Sequence, residues 1–154
     1  MGNNTENFEV TNPLSMLFRK AVPIKAGEVI EEGQWFEIDS NGEAVLSGAS
    51  APTIAYLAFI ESERPDVKGT LPNGSEVSLG GMTGILGVLE GHCNNTCYDD
   101  TKVYNQGDRL TVKSGKLTPA ASGESVYAYV QKPLGADGVL YVTGASGVSL
   151  GVAP

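Results

Sequence analysis

The side chains with the greatest chemical potential lie together in Gly91-His92-Cys93-Asn94-Asn95-Thr96-Cys97-Tyr98-Asp99-Asp100. A Cys-x3-Cys with an adjacent histidine supplies part of a zinc donor set. A structural zinc takes four ligands, mostly nitrogen and sulfur. The whole chain holds one histidine and two cysteines. Asp99, Asp100 or a second copy of the chain would have to complete the set, so no metal and no cofactor is assigned. Two readings stay open for Cys93 and Cys97. They form a local disulfide after release into an oxidising medium, or they are two reduced thiols at a turn. Asn94, Asn95 and Thr96 read as an exposed tip between strands.

Other reactive patterns fail on context. Gly147-Val148-Ser149-Leu150-Gly151 matches the G-x-S-x-G nucleophile elbow in letters. In that elbow the acid and the histidine follow the serine along the chain, and only Val152, Ala153 and Pro154 follow Gly151. A His92–Cys93 dyad is poor because neighbours on an extended chain point to opposite sides. Gly80-Gly81-Met82-Thr83-Gly84 lacks the Lys-Ser/Thr pair of a phosphate loop. Asp39, Asn41 and Glu43 open like a calcium loop, but Ala44 stands where its glycine belongs. The pairs Glu31-Glu32 and Asp99-Asp100 read as solvated turns. Nothing converges into a catalytic constellation, and the chain is expected not to be an enzyme.

Charge narrows the partners. Ten Lys/Arg against eighteen Asp/Glu give a net charge of −8 over 154 residues. Nucleic-acid binding rests on basic side chains that displace phosphate counterions. The longest basic run is Arg19-Lys20, so neither nucleic acid nor an anionic membrane surface is an expected partner. The apolar run Ile54–Ile60 falls far short of the ~20 residues of a spanning helix. Met1–Asn7 has neither the basic nor the apolar region of a secretory signal, which leads us to expect synthesis in the cytoplasm.

The elements that would carry these residues are short strands. Twenty glycines and eight prolines are too dense for a helical bundle. Gln34–Ile38 is rich in strand formers, Asp39–Gly42 is a turn, and Glu43–Leu46 returns. Ile54–Ile60 and Gly84–Glu90 are continuous apolar runs of strand length, expected to be buried. Arg64–Gly74 reads as a polar loop and Glu76–Leu79 as a short strand. Leu110 and Val112 alternate with Arg109, Thr111 and Lys113. Ser114-Gly115 turns, and Lys116-Leu117-Thr118 returns. Ser125–Gln131 and Val139–Val142 complete the set. Residues 1–19 are Asn/Thr/Glu-rich with unevenly spaced apolar residues. They read as an N-terminal arm, with a strand of the domain's own sheet as the alternative. Residues 20–143 form the β-rich domain, and 144–154 a flexible or docking tail.

The stretch Tyr104-Asn105-Gln106-Gly107-Asp108-Arg109-Leu110-Thr111-Val112, followed by Gly115-Lys116-Leu117-Thr118-Pro119, resembles small capsid decoration proteins of tailed bacteriophages. Lys25–Ile30, Gly33–Phe36 and Asp137–Leu140 are similar to other parts of those proteins, so the likeness spans roughly residues 20–143. It implies a mostly β fold: a small antiparallel barrel, β-tulip-like or sandwich domain with an extended N-terminal arm. It implies a cement protein on the outer surface of the mature head, made in the host cytoplasm, that binds the major capsid protein as a homotrimer and braces the shell against DNA pressure. On this reading Phe8, Leu14, Leu17 and Phe18 contact the capsid or a neighbouring subunit. Greater length and the Cys93–Cys97 loop set this chain apart from the smallest such proteins. The alternative is another phage structural component: a head-fibre base, tail or receptor-binding module.

Overall fold

A computed structural model describes residues 8–10, 18–59, 68–70, 76–78 and 83–154. Among them the secondary structure is strand, with no helix. In chain order the strands are β1 (Phe8–Val10), β2 (Phe18–Ala21), β3 (Trp35–Ile38), β4 (Ala44–Leu46), β5 (Tyr56–Phe59), β6 (Lys68–Thr70) and β7 (Glu76–Ser78). There follow β8 (Thr83–Cys93), β9 (Arg109–Lys113), β10 (Lys116–Pro119), β11 (Ser125–Val126), β12 (Ala128–Lys132), β13 (Leu140–Ser146) and β14 (Gly151–Val152).

The longest strand, β8, is the spine. The main sheet runs β10-β9-β12-β13-β8-β5-β3-β4, and every named pairing in it is antiparallel. β13 lies against the second part of β8, from Leu140↔Cys93 to Ser146↔Gly87. β5 takes over along the first part, from Leu57↔Ile85 to Phe59↔Thr83. The handover is hydrogen-bonded. The Leu57 N–H donates to Ser146 Oγ at 2.8 Å, and the Gly147 N–H donates to the Ala55 carbonyl at 2.7 Å. β8 therefore belongs to two half-sheets, each with its own core.

The apolar run at β5 follows from that division; the side chains of Gly84–Leu89 lie outside the described ones. Successive strand residues point to opposite faces. Trp35 and Leu57 enter a core with Tyr98, Tyr104, Leu110, Val112, Leu117, Tyr127, Leu140 and Val142. Their chain neighbours Phe36 and Ala58 enter a second core with Val22, Ile30 and Ala44. A strand buried on both faces loses polar alternation, which is why the sequence of β5 reads as a run.

The turns follow the sequence where local chemistry governs them. Ser114 and Gly115 both take positive φ, 51° and 77°, between the facing residues Lys113 and Lys116. That is the two-residue turn whose twist suits a hairpin. Between β3 and β4 the loop is longer. Asp39 Oδ1 accepts from the N–H groups of Asn41 and Glu43, and Gly42 adopts a positive φ of 80°.

Other expectations need correction. Arg64–Gly74 is not wholly loop, because β6 lies within it and pairs with β7. Ser125–Gln131 is broken at Tyr127 into β11 and β12, since β11 leaves the main sheet to pair with β14. The tail is docked. Ala153 is buried, its N–H reaches the Glu124 carbonyl at 2.9 Å, and its carbonyl accepts from Gly123 at 2.8 Å. Within residues 1–19, β1 and part of β2 pair with opposite ends of β8.

No ladder closes the main sheet into a barrel among the described residues. A turn bridges the gap instead. The Trp35 N–H donates to the Gly115 carbonyl at 2.9 Å, and the Ser114 N–H donates to the Gly48 carbonyl at 2.6 Å. The β9–β10 turn is thereby fastened to the opposite end of the strand order. A side chain at Gly115 would collide with Leu46.

Candidate functional site

The cysteine loop is the first place to look for chemistry. Cys93 ends β8, and a turn closed by the Cys97 N–H on the Asn94 carbonyl at 3.0 Å returns the chain. Asn95 is exposed at the tip, as expected, but both cysteines are buried thiols. The loop is drawn inward because Tyr98 bridges in parallel to Leu117 of β10. The Leu117 N–H donates to the Cys97 carbonyl at 2.8 Å, and the Asp99 N–H to the Leu117 carbonyl at 2.9 Å. Cys93 and Cys97 share a hydrogen bond. Burial and then Cys97 push the Cys93 thiol well above its ordinary range. A nucleophilic cysteine needs the reverse, a stabilised thiolate. Cys93 serves here as a small apolar core residue.

The tyrosines around this loop have fixed hydroxyls. Tyr98 donates to the Gly138 carbonyl at 2.7 Å. Tyr104 donates to the Asp99 carbonyl at 2.7 Å and reaches that of Leu117 at 3.2 Å. The two rings meet edge-on with centroids 5.4 Å apart. Across the core, Tyr127 donates to the Pro52 carbonyl at 2.7 Å and packs against Trp35 with centroids 5.7 Å apart. Burial raises the pKa of all three phenols, that of Tyr127 to about 12. Tyr104, which opens the stretch carrying the resemblance, thus ties the cysteine loop to the β9–β10 hairpin.

A polar row lies on β8, β12 and β13. His92 and Tyr141 are register partners with ring centroids 5.1 Å apart. Lys132 Nζ sits 3.8 Å from the Tyr141 ring centroid, a cation–π contact. Gln131 Nε2 donates to Glu90 Oε1 at 2.8 Å and also to Thr143 Oγ1. Among the described residues no group of three or more His, Cys, Asp and Glu could hold a metal.

Ser149 of the G-x-S-x-G match lies in the link between β13 and β14. His92 pairs with Tyr141 near the start of β13, whereas Ser149 follows its end. Ser146 lies five positions beyond Tyr141 on β13, about 17 Å at ~3.4 Å per strand residue. Serine and histidine therefore form no dyad.

Of the proposed contact residues, Phe8 is the register partner of Cys93 and Phe18 that of Leu86. Leu14 and Leu17 lie outside the described residues. The surface has an apolar feature that sequence reasoning did not single out. Val148, Leu150 and Val152 are 57 %, 42 % and 63 % exposed on the terminal segment. Their alternation with Ser149 and Gly151 was the available signal. Comparisons with protein-family models, curated proteins and solved structures gave no match.

Proposed function

We propose that this chain is a structural protein rather than a catalyst: a phage capsid decoration protein that cements the outer surface of the mature head. The observation that supports this most is how the chain distributes its side chains. Cys93, Cys97, Tyr104 and Tyr127 are buried, while Val29, Val103, Val148, Leu150 and Val152 stand outside. A catalyst presents reactive groups in a pocket. A brace presents contact surface on a stiff body. The hairpin that carries the resemblance fits this use, because Tyr104, Ser114, Gly115 and Leu117 all serve the scaffold.

On this reading the major capsid protein is the partner, a homotrimer supplies several weak contacts at once, and each buried apolar contact adds about 25 cal/mol per Å². The test is co-sedimentation of the full chain with expanded, decoration-stripped heads. Truncating residues 1–19 would remove β1 and part of β2 from the sheet, so V148S/L150S/V152S is the better comparison. Full-length protein should pellet with expanded heads and stay in solution with unexpanded ones. The triple variant should bind at least fivefold more weakly. Failure of the full chain to pellet with expanded heads would overturn the proposal.

A further inference from the structure

Among the described residues the cations are unevenly placed. Lys102, Lys113 and Lys116 line one open cleft of about 470 Å³ at the β9–β10 hairpin, with Asp99, Ser114 and Thr118. Lys113 and Lys116 are direct cross-strand partners. Like charges so placed repel, and a chain with eighteen acidic side chains does not need that arrangement for solubility.

The groups already near the cleft indicate what it accepts. Lys113 Nζ holds Glu124 Oε1 at 2.5 Å. Lys116 Nζ donates to the Asn95 carbonyl at 3.1 Å. Asp99 Oδ1 accepts from the Thr101 N–H and hydroxyl at 3.0 and 2.6 Å. Among the described residues the Lys102 ammonium makes no ion pair. The backbone beneath is fixed, because the Ser114–Gly115 turn is hydrogen-bonded to Gly48 and Trp35. The lysine stems therefore rise from a rigid base.

We propose that this cleft binds an acidic segment of a partner protein, through side-chain carboxylates that engage Lys102 and Lys116 and share Lys113 with Glu124. The charge pattern selects carboxylates on a polypeptide over a nucleic acid. A continuous row of phosphates would run onto Asp99 and Glu124. Separated carboxylates can alternate with the two resident ones. This inference goes beyond the capsid reading and does not depend on it.

The test uses the full chain and a fluorescein-labelled Glu-Gly-Glu-Gly-Glu peptide, followed by anisotropy at 50 mM salt. Saturable binding is expected, at least fivefold weaker at 300 mM salt because exposed charges are screened. K102E/K116E should bind at least tenfold more weakly, and K132E, outside the cleft, should bind like the parent. K102Q, a change at an exposed side chain, guards against misfolding of the double variant and should weaken binding about threefold. Absence of binding, or equal binding by K102Q and K102E/K116E, would overturn the proposal. So would displacement by equimolar inorganic phosphate, or tighter binding of a labelled single-stranded oligonucleotide. Self-association that the double variant abolishes and the unlabelled peptide competes away would also overturn it, by placing a second copy of this chain in the cleft.

Discussion

The two cores on either side of β3 and β5 are built differently. The one around Trp35 and Tyr127 contains three phenols whose hydroxyls each end on a backbone carbonyl. The other, around Phe36, is made of Val22, Ile30, Ala44 and Ala58, with Ile24, Ile38, Leu46 and Tyr56 at its margin. Its ring contact is a plain stack of Phe36 on Tyr56 with centroids 5.5 Å apart. Apolar contact is non-directional, so it favours burial without choosing one arrangement. A phenol hydroxyl is directional, and a buried carbonyl left without its donor costs free energy. The first core fixes the paths of loops, holding the chain at Pro52, Asp99, Leu117 and Gly138. The second simply closes the other face.

The largest test of this contrast is Trp35→Ala. The side chain is fully buried, and such a truncation should cost about 3–5 kcal/mol. In urea unfolding the midpoint should fall sharply with the two cores melting together, because β3 contributes to both. Separate transitions would show that the cores are independent. Next is Gly115→Ala, which places a Cβ at positive φ against Leu46. A left-handed non-glycine residue costs about 1–2 kcal/mol, and the displaced leucine adds to that. Thermal denaturation should show the loss, and an unchanged melting temperature would mean that the turn does not tie the sheet's ends.

Tyr127→Phe removes the hydroxyl from the Pro52 carbonyl and should cost about 1–3 kcal/mol. Phe36→Leu keeps the second core apolar and gives up a ring contact worth about 0.5–1.5 kcal/mol, along with some buried area. A larger loss at Phe36 than at Tyr127 would reverse the proposed roles of the two cores. The pH dependence separates them further. The folded-state pKa of Tyr127 is about 12 against an ordinary 10, so the native state holds its proton where the unfolded chain has lost it. This contribution is fully present below pH 10 and is lost as pH rises towards 12. Phenolate absorbance should therefore rise together with unfolding for Tyr127, Tyr104 and Tyr98.

The smallest expected effect is on the acid side. Hydrogen bonding from the Glu43 N–H, aided by that of Asn41 and by Lys25, keeps Asp39 below its ordinary range against a burial effect that raises it. Its contribution is present at neutral pH and lost as pH falls through that lowered value. Amide shifts at Asn41 and Glu43, followed by NMR, should titrate below the ordinary aspartate range. Titration at the ordinary value would remove Asp39 as the organiser of that loop.

What could be read from the sequence was local. Ser114-Gly115 announces its turn because few residue pairs accept two positive φ values in succession. The run Ile54–Ile60 announces a strand buried on both faces at its middle, because Leu57 enters one core and Ala58 the other, while Ile54 ahead of β5 is 51 % exposed. The inward turn of Cys93 and Cys97 was not legible, because it depends on Tyr98 finding Leu117 across an intervening loop. Asn94 and Asn95 gave the correct local signal of a turn and said nothing of what lies beside it. The docked tail depends likewise on Ser125 and Val126 of β11. Lys113 and Lys116 could be placed opposite one another from the turn alone. Lys102 joins them only through the folded loop.

The spine strand has a kinetic consequence. Cys93 is the register partner of Phe8 on one strand and of Leu140 on another. Segments near both ends of the chain must therefore reach β8 before it is fully paired. Such non-local closure slows folding to the millisecond-to-second range typical of all-β domains. During synthesis, β8 emerges from the ribosome well ahead of β13, with its glycine- and leucine-rich backbone half paired at best. A nascent chain paused at that point has an open strand edge. The risk of aggregation should be greatest there and should vanish once residue 146 is free of the exit tunnel.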